Sequence, residues 1–466
     1  YNARHDPSEI LVKYGWKPTG KNGRGGAYWT RPGKEKGTSA SLKDGWLYVF
    51  STSTPLPVGS HNSFSIYAHY EHEGDFNKAA KELSARGYAP SITTENEIAE
   101  PCELSIPLWP KLDRKALPGI VGEFIDLATE NSEADPAAVL ATFLVRFGVE
   151  VGDGPHMWIG DTKHWCRIAA VIVGASSKAR KGTSGAPIKR LFSNGRQDIS
   201  TLSHSFAQAT PGPFSSGEGI VYLVRNEIEK WDPKSEQSIV VDPGVADKRL
   251  FVLDEEFAGV LANTKREGNT LSMIIRCLWD SGDIAPIIKN NRTITTGAHV
   301  GWVSHITEGE LNLRLDKSGA FNGFANRILW VCANRPKLVP NPPRMNDEAL
   351  SVIREQIIKT AKDYSVPKEI IKDDEATDAW ANHYYRALSV PQPGLIGSVI
   401  SRAETQTLRL AMIYAILDNS LIIKLKHLES GVAFWDYCQK SAGRIFQGRQ
   451  ADRVAQKILE ELKNGV

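Results

Sequence analysis

Four apolar runs, each bounded by a polar or glycine position, punctuate the middle of the chain. Ile168 to Val173 breaks at Gly174, and Leu250 to Leu253 ends in Asp254 and Glu255. Val300 to Ile306 ends at Thr307, and Ile328 to Val331 follows Arg327. Continuous runs of this length, closed by turn residues, predict buried strands. Helical spacing fills the gaps. Gly119 to Val151 predicts two amphipathic helices broken near Asn131-Ser132 and Asp135-Pro136, and Ala186 to Phe192 predicts another. The expected fold is α/β, with strand tips that converge on one edge.

The ends of the chain read differently. Residues 1–90 carry short runs (Ala27 to Thr30, Thr38 to Leu42, Trp46 to Ser51) between Gly, Pro and Lys turns, which predict a small antiparallel sheet. Helices are expected at Ser8 to Tyr14, Phe64 to Tyr70 and Asp75 to Arg86, the last capped by Asp75 and stopped by Gly87. This is a small α+β unit. Residues 91–118, acidic and Pro-containing, read as a linker; 119–340 hold the α/β core; 341–448 read as an all-α domain after the Pro336 to Pro343 boundary. Its Leu408, Ala411, Met412 and Ala415 stripe is most simply core. Residues 449–466 start a further module, and the first residue is Tyr1 rather than Met, so a fragment of a larger protein is expected.

Composition narrows the picture. Hydrophobic content of 41% and charged content of 24% fit a soluble globular chain. No stretch approaches the ~18 apolar residues of a membrane span. The net charge of +2 excludes gross polyanion binding, but residues 1–50 hold nine Lys/Arg against four Asp/Glu. Among them Arg31, Lys34 and Lys36 interleave with Tyr28, Trp29, Trp46, Tyr48 and Phe50. That mixture suits a nucleic-acid surface, and equally a small domain whose aromatics form its core. Five scattered cysteines without a C-x-x-C pair argue against a disulfide framework or a zinc site.

Candidate chemistry concentrates after the first run. Val171 to Ser184 reads as a strand, a small-residue loop and a basic turn, with Gly174, Ser177, Lys178, Arg180, Lys181, Gly182, Thr183 and Ser184 as phosphate-loop candidates. Small residues let backbone N–H groups wrap a polyphosphate, a Lys reaches its terminal groups and a hydroxyl holds Mg²⁺. The common spacing G-x-x-x-x-G-K-[ST] would put Gly at 179 and Lys at 180; Ala179 and Arg180 stand there, and Lys181 comes one residue late. Taken alone, the loop fits a nucleotide site and a basic surface turn equally well. About 70 residues on, Asp254 and Glu255 end the second run, the pattern of metal and water ligands in phosphoryl transfer. His305 sits near the tip of the third run, as a γ-phosphate sensor or a satisfied core histidine. Arg327 opens the fourth, to pair with an acid of its own chain or to reach a neighbour's phosphate. Lys289 and Arg292 lie in the turn of a predicted hairpin at 286–298, either a nucleic-acid-tracking loop or an ordinary exposed turn.

Taken together these motifs resemble RecA-like hexameric helicases of the DnaB and RepA kind, and more closely the primase–helicases of phages and actinobacterial mobile elements. The resemblance rests on Arg180-Lys181-Gly182-Thr183-Ser184, Ser216-Gly217-Glu218-Gly219, His299 to Thr307, Gly323 to Arg327 and Arg402 to Arg409, and it covers nearly the whole chain. The amino-terminal unit is similar, at fold level, to a primase zinc ribbon without its cysteines. What the resemblance implies is an ATP- and Mg²⁺-dependent ring helicase, a hexamer on single-stranded or forked DNA, in the cytoplasm of a bacterial cell or a phage-infected host. Lys181 would then meet the β,γ-phosphates, Thr183 (or Ser184) and Asp254 would hold the metal, and Glu218, with Glu255 as alternative, would activate water. His305 would sense the γ-phosphate and Arg327 would act in trans. Two other readings stay open: an accessory or loader ATPase that assembles without unwinding, and a small-molecule kinase, since adenylate kinases carry the same Lys-Gly-Thr variant.

Overall fold

The structure is a computed structural model. It describes residues 2, 4–23, 26–88, 109–175, 179–193, 206–287, 293–314, 323–392 and 394–447. The chain divides into two units, Tyr1–Glu103 and Leu104–Val466.

In the first unit α1 (Pro7–Lys13) precedes a five-stranded sheet of order β1-β2-β3-β4-β5, every pair antiparallel. The strands are β1 (Lys17–Gly23), β2 (Gly26–Thr30), β3 (Ala40–Lys43), β4 (Trp46–Val49) and β5 (Gly59–His61). Then come α2 (Ser63–Glu71) and α3 (Phe76–Leu83). Asp6 caps α1 by accepting from Ser8 N at 2.8 Å, and Asp75 caps α3 by accepting from Lys78 N at 2.9 Å. The core sits on one face of the sheet: Ile10, Leu11 and Ile66 from the helices meet Trp29, Ala40, Leu47 and Val49. Of the aromatics that the sequence left open between surface and core, Trp29 is core; Tyr28, Trp46, Tyr48 and Phe50 are not part of that cluster.

The second unit is built on an all-parallel sheet. Its strands are β8 (Ala169–Gly174), β9 (Gln208–Thr210), β12 (Arg249–Asp254), β13 (His299–Thr307) and β14 (Leu329–Ala333), in the order β14-β8-β13-β12-β9. All residues of β8 and β14 are buried, as both-face cover of a parallel sheet requires. Helix α4 (Gly119–Thr129) leads into α5 (Pro136–Val151), which Asp135 caps through Ala137 N at 2.8 Å with Pro136 in the first turn. The sequence suggests an amphipathic α5, but every residue from Ala137 to Val151 is buried. A helix packed on all sides has no solvent face to mark with polar residues. Its two charged members, Arg146 and Glu150, form a buried ion pair with each other.

Gly301 of β13 faces α5, where a Cβ would meet Val149 at 2.5 Å. Trp302, next in sequence, meets Phe257 and Phe324, ring centroids 6.0 and 6.4 Å away. Phe257 opens α8 (Phe257–Thr264), one of the shorter helices that follow α6 (Gly185–Leu191) and α7 (Gly217–Leu223). After them come α9 (Leu271–Asp280) and α10 (Glu308–Arg314). Two antiparallel hairpins stand apart from the sheet: β6 (Pro155–Ile159) with β7 (Thr162–Trp165), and β10 (Ile228–Asp232) with β11 (Gln237–Asp242). The latter is what the polar segment before β12 forms. The predicted hairpin at 286–298 has its turn outside the described residues, and its flanks meet at one bridge, Ile284 with Thr295.

The helical segment from Asp347 builds no core of its own. Helices Asp347–Asp363, Ala403–Leu417 and Leu425–Gln447 contribute Ile357, Leu410, Ile413 and Phe434 to the same hydrophobic cluster as the sheet. Residues 109–118, read from their prolines as the end of a linker, are packed too: Trp109, Leu112 and Leu117 lie on that cluster, and Tyr414 donates to the Ala116 carbonyl at 2.7 Å. Among the described residues no helix is long and apolar enough to cross a membrane.

Candidate active site

The carboxyl ends of the parallel strands are in step. Gly174 pairs with Thr307 on one side and Ala333 on the other, and Asp254 pairs with Ser304. This edge is where open α/β sheets take their ligands. A cleft of about 340 Å³ opens there, lined by Arg180, Lys181, Gly182, Thr183, Glu255 and His305. Three separate stretches of sequence thus meet in one place.

The loop after β8 explains its own residue types. A Cβ on Gly174 would stand 2.7 Å from the Ala179 Cβ and 3.0 Å from the Lys181 Cδ, so only glycine lets the Lys181 stem fold back on the strand end. Burial pushes the Lys181 ammonium below the usual lysine value, while Glu310 and Glu256 partly restore it. Arg180 sits at φ 55°, in the left-handed region, and its Nε donates to Glu133 Oε2 at 2.7 Å. Glu133 also accepts from Val339 N at 3.1 Å, and that backbone N–H is the largest reason its carboxyl lies below the usual range. Arg180 is thereby tied to the turn before α5. Lys181 lines the cleft as well; Ser177 and Lys178 lie outside the described residues.

The two hydroxyls separate as clearly. Ser184 is fully buried and donates to its own loop, to the Lys181 carbonyl at 2.6 Å. Thr183 lines the cleft. A Cβ on Gly182 would come within 3.8 Å of Glu255 Oε2, so Glu255 borders the same opening. Its other oxygen faces Lys189 Nζ at 3.6 Å, with both side chains largely exposed. Asp254 is 2% exposed at the tip of β12; Oδ1 accepts from Glu256 N at 2.9 Å and Oδ2 from Phe214 N at 3.4 Å.

His305 is 3% exposed, and its Nε2 has no partner among the described residues. Burial, aided by the Lys181 and Lys189 cations, pulls the imidazole down to about 4. It is therefore neutral at pH 7, with a ring nitrogen left for something that enters the cleft. A buried polar atom without a partner costs roughly 1–3 kcal/mol, which is unusual unless a ligand or water completes it.

Other expected site residues lie elsewhere. Glu218 is exposed at the start of α7, where Ser216 caps the helix through Gly219 N at 3.1 Å. Its Oε1 accepts from Thr270 Oγ1 at 2.6 Å, and this bond is the main reason its carboxyl is lowered. It does not line the cleft; Glu255 does. Arg327 precedes β14, whose first residue pairs with Ala170, so it stands at the opposite end of the sheet from Gly174. It is paired within its own chain: Nη2 donates to Asp280 Oδ2 at 2.6 Å and Nε to Oδ1 at 3.3 Å. Arg402 reaches the same carboxylate at 3.7 Å. Arg31, Lys34 and Lys36 lie on the connection between β2 and β3. Lys289 and Arg292 fall outside the described residues.

No family model and no curated protein matches the chain. The residues that sequence reasoning missed are the partners: Glu133 for Arg180, Asp280 for Arg327, Lys189 for Glu255. Nothing in their spacing announces them, because each comes from a distant element.

Proposed function

We propose that the cleft binds ATP with Mg²⁺ and hydrolyses it, and that the chain is the motor of a ring-forming DNA helicase with a RecA-like core. The observation that carries this reading is the meeting of Lys181, Thr183, Glu255 and the neutral His305, whose Nε2 has no partner among the described residues, at the carboxyl edge of a parallel sheet, with buried Asp254 on the adjoining strand tip. The glycine cradle at 174 and 182, with hydroxyl, carboxylate and ammonium beside it, fits a metal–polyphosphate chemically.

In this reading Lys181 holds the terminal phosphates as a half-buried point charge. Thr183 Oγ1 and Asp254 would hold the metal. Mg²⁺, when bound, would supply the charge that neutralises the β and γ oxygens. Glu255, which lines the cleft, would orient and deprotonate the attacking water. His305 Nε2 is an acceptor or donor, according to its tautomer, for the γ-phosphate or that water, and it distinguishes the triphosphate from the diphosphate by having or lacking a partner. Arg327, remote from its own cleft, serves a neighbouring copy, which makes the ring part of the site.

Mass measurement of the full chain tests this. With ATP, Mg²⁺ and a forked DNA, a closed oligomer that displaces the paired strand is expected; a species that stays monomeric would overturn the motor reading. One observation favours a second reading. Glu218 is held by Thr270 and away from the cleft, which suits an accessory ATPase that assembles on ATP without turnover. Assembly without strand displacement or phosphate release would select it.

A further inference from the structure

The first unit carries a surface that the nucleotide cleft does not explain. Strand β4 alternates cleanly: Leu47 and Val49 are buried, while Trp46 and Tyr48 are 53% and 50% exposed. Phe50, next beyond the strand, is 44% exposed. Cross-strand pairing extends the outward row. Tyr28 pairs with Ser41, Ser41 with Tyr48, and Lys43 with Trp46. Side chains directly opposite share a face, so Tyr28, Lys43, Trp46 and Tyr48 stand together. Lys17, opposite Thr30, stands on the same face. The helices pack on the other side, against Trp29, Leu47 and Val49. Three large rings left in water on a sheet face are costly to keep solvated unless something covers them.

The charge says what covers them. None of the described strand residues in this unit is acidic. Nine Lys/Arg against four Asp/Glu lie in residues 1–50, whereas residues 51–88 hold four acids and three bases. The acids after residue 50 belong to α2, α3 and their connection, and Asp44 lies in the turn between β3 and β4 rather than on a strand. An apolar protein partner would not need so one-sided a field; a polyanion with aromatic faces would. Alternate residues of a strand stand about 7 Å apart, of the order of the base step in a stretched single strand. A duplex hides its base faces inside the stack and could offer only phosphates.

We propose that this face is a stacking platform for single-stranded nucleic acid, with successive bases on Phe50, Tyr48 and Trp46, Tyr28 beside them, and Lys17 and Lys43 on the backbone. It works without nucleotide in the cleft, so it can stand or fall separately from the ATPase reading. Sequence preference is expected to be weak, because every base has a π face.

The test is fluorescence anisotropy of a labelled oligo-dT of about 12 nucleotides with the full chain and no ATP. Trp46→Ala, Tyr48→Ala and Phe50→Ala should each weaken binding by about 5- to 100-fold. Tyr48→Phe should bind within about twofold of wild type, since the ring and not the hydroxyl does the stacking. Lys17→Gln and Lys43→Gln should each lower the salt slope by about one phosphate contact. A duplex of equal length should bind at least about tenfold more weakly. Because the three rings lie outside the core, thermal melts should match wild type. The proposal is overturned if the triple ring variant binds oligo-dT as wild type does, or if duplex binds equally. It is also overturned if the variant changes only the mass of the protein alone, which would make the face a contact between copies.

Discussion

Arg180 and Lys181 are neighbours in the chain, yet one reaches Glu133 and the other folds back over Gly174. The same contrast separates Thr183, in the cleft, from Ser184, bonded to its own loop. Lys181→Ala should lower affinity for a labelled ATP analogue by at least about tenfold, the loss of a charge-assisted contact. Arg180→Ala should leave that affinity within about threefold and instead loosen the loop; the reverse ranking would reassign the phosphate contact to Arg180. Gly174→Ala should mimic the lysine loss, because its methyl needs the space the Lys181 stem occupies. The sequence names these residues but leaves their division of labour open. That Arg180 turns to a carboxylate depends on Glu133, 47 positions away and unmarked by any motif.

At the scale of elements, the four apolar runs foretell β8, β12, β13 and β14, because strands buried on both faces leave an uninterrupted apolar signature. Short strands escape this logic. Gln208–Thr210 is an edge strand with two exposed residues, β10 and β11 are largely exposed, and β6 and β7 are exposed next to their turn. Helix α5 shows the opposite failure, since full burial erases amphipathic spacing. The aromatic layer around Phe257, Trp302 and Phe324 ties α8 to the sheet, so Phe257→Ala should cost about 3–5 kcal/mol in urea unfolding. A cost under about 1 kcal/mol would mean that the layer collapses without loss. The Arg327–Asp280 pair belongs to this scale as well. In the ring reading, Arg327→Ala mixed with Glu255→Gln should recover part of the ATP turnover that each variant lacks alone. No recovery would make Arg327 a purely structural partner of Asp280.

For the whole molecule, two buried histidines set an acid limit. His299 is 1% and His305 3% exposed, and burial lowers both, the latter to about 4. The unfolded chain takes up these protons near pH 6.5, before the folded one does. Stability should therefore fall as pH drops from about 6.5 toward 4, by up to about 1.4 kcal/mol per pH unit for each histidine. His305→Asn should flatten that slope in urea midpoints taken against pH; an unchanged slope would show that the imidazole is already paired. The division of the chain was partly legible: a small basic unit, then an α/β core. The sharing of that core by the helices after Asp347 was not, because an apolar stripe at Leu408 or Met412 looks alike whether it meets another helix or a sheet.

ATP hydrolysis at the Gly174–Ser184 loop underlies every other step proposed for the molecule. The most direct measurement is steady-state phosphate release by the full chain with Mg²⁺ and single-stranded DNA, wild type beside Lys181→Ala. Turnover that the DNA accelerates is expected, with at least about a 100-fold loss in the variant and its melting temperature intact. Equal turnover by the two proteins, or none by the wild type, would contradict hydrolysis at this loop.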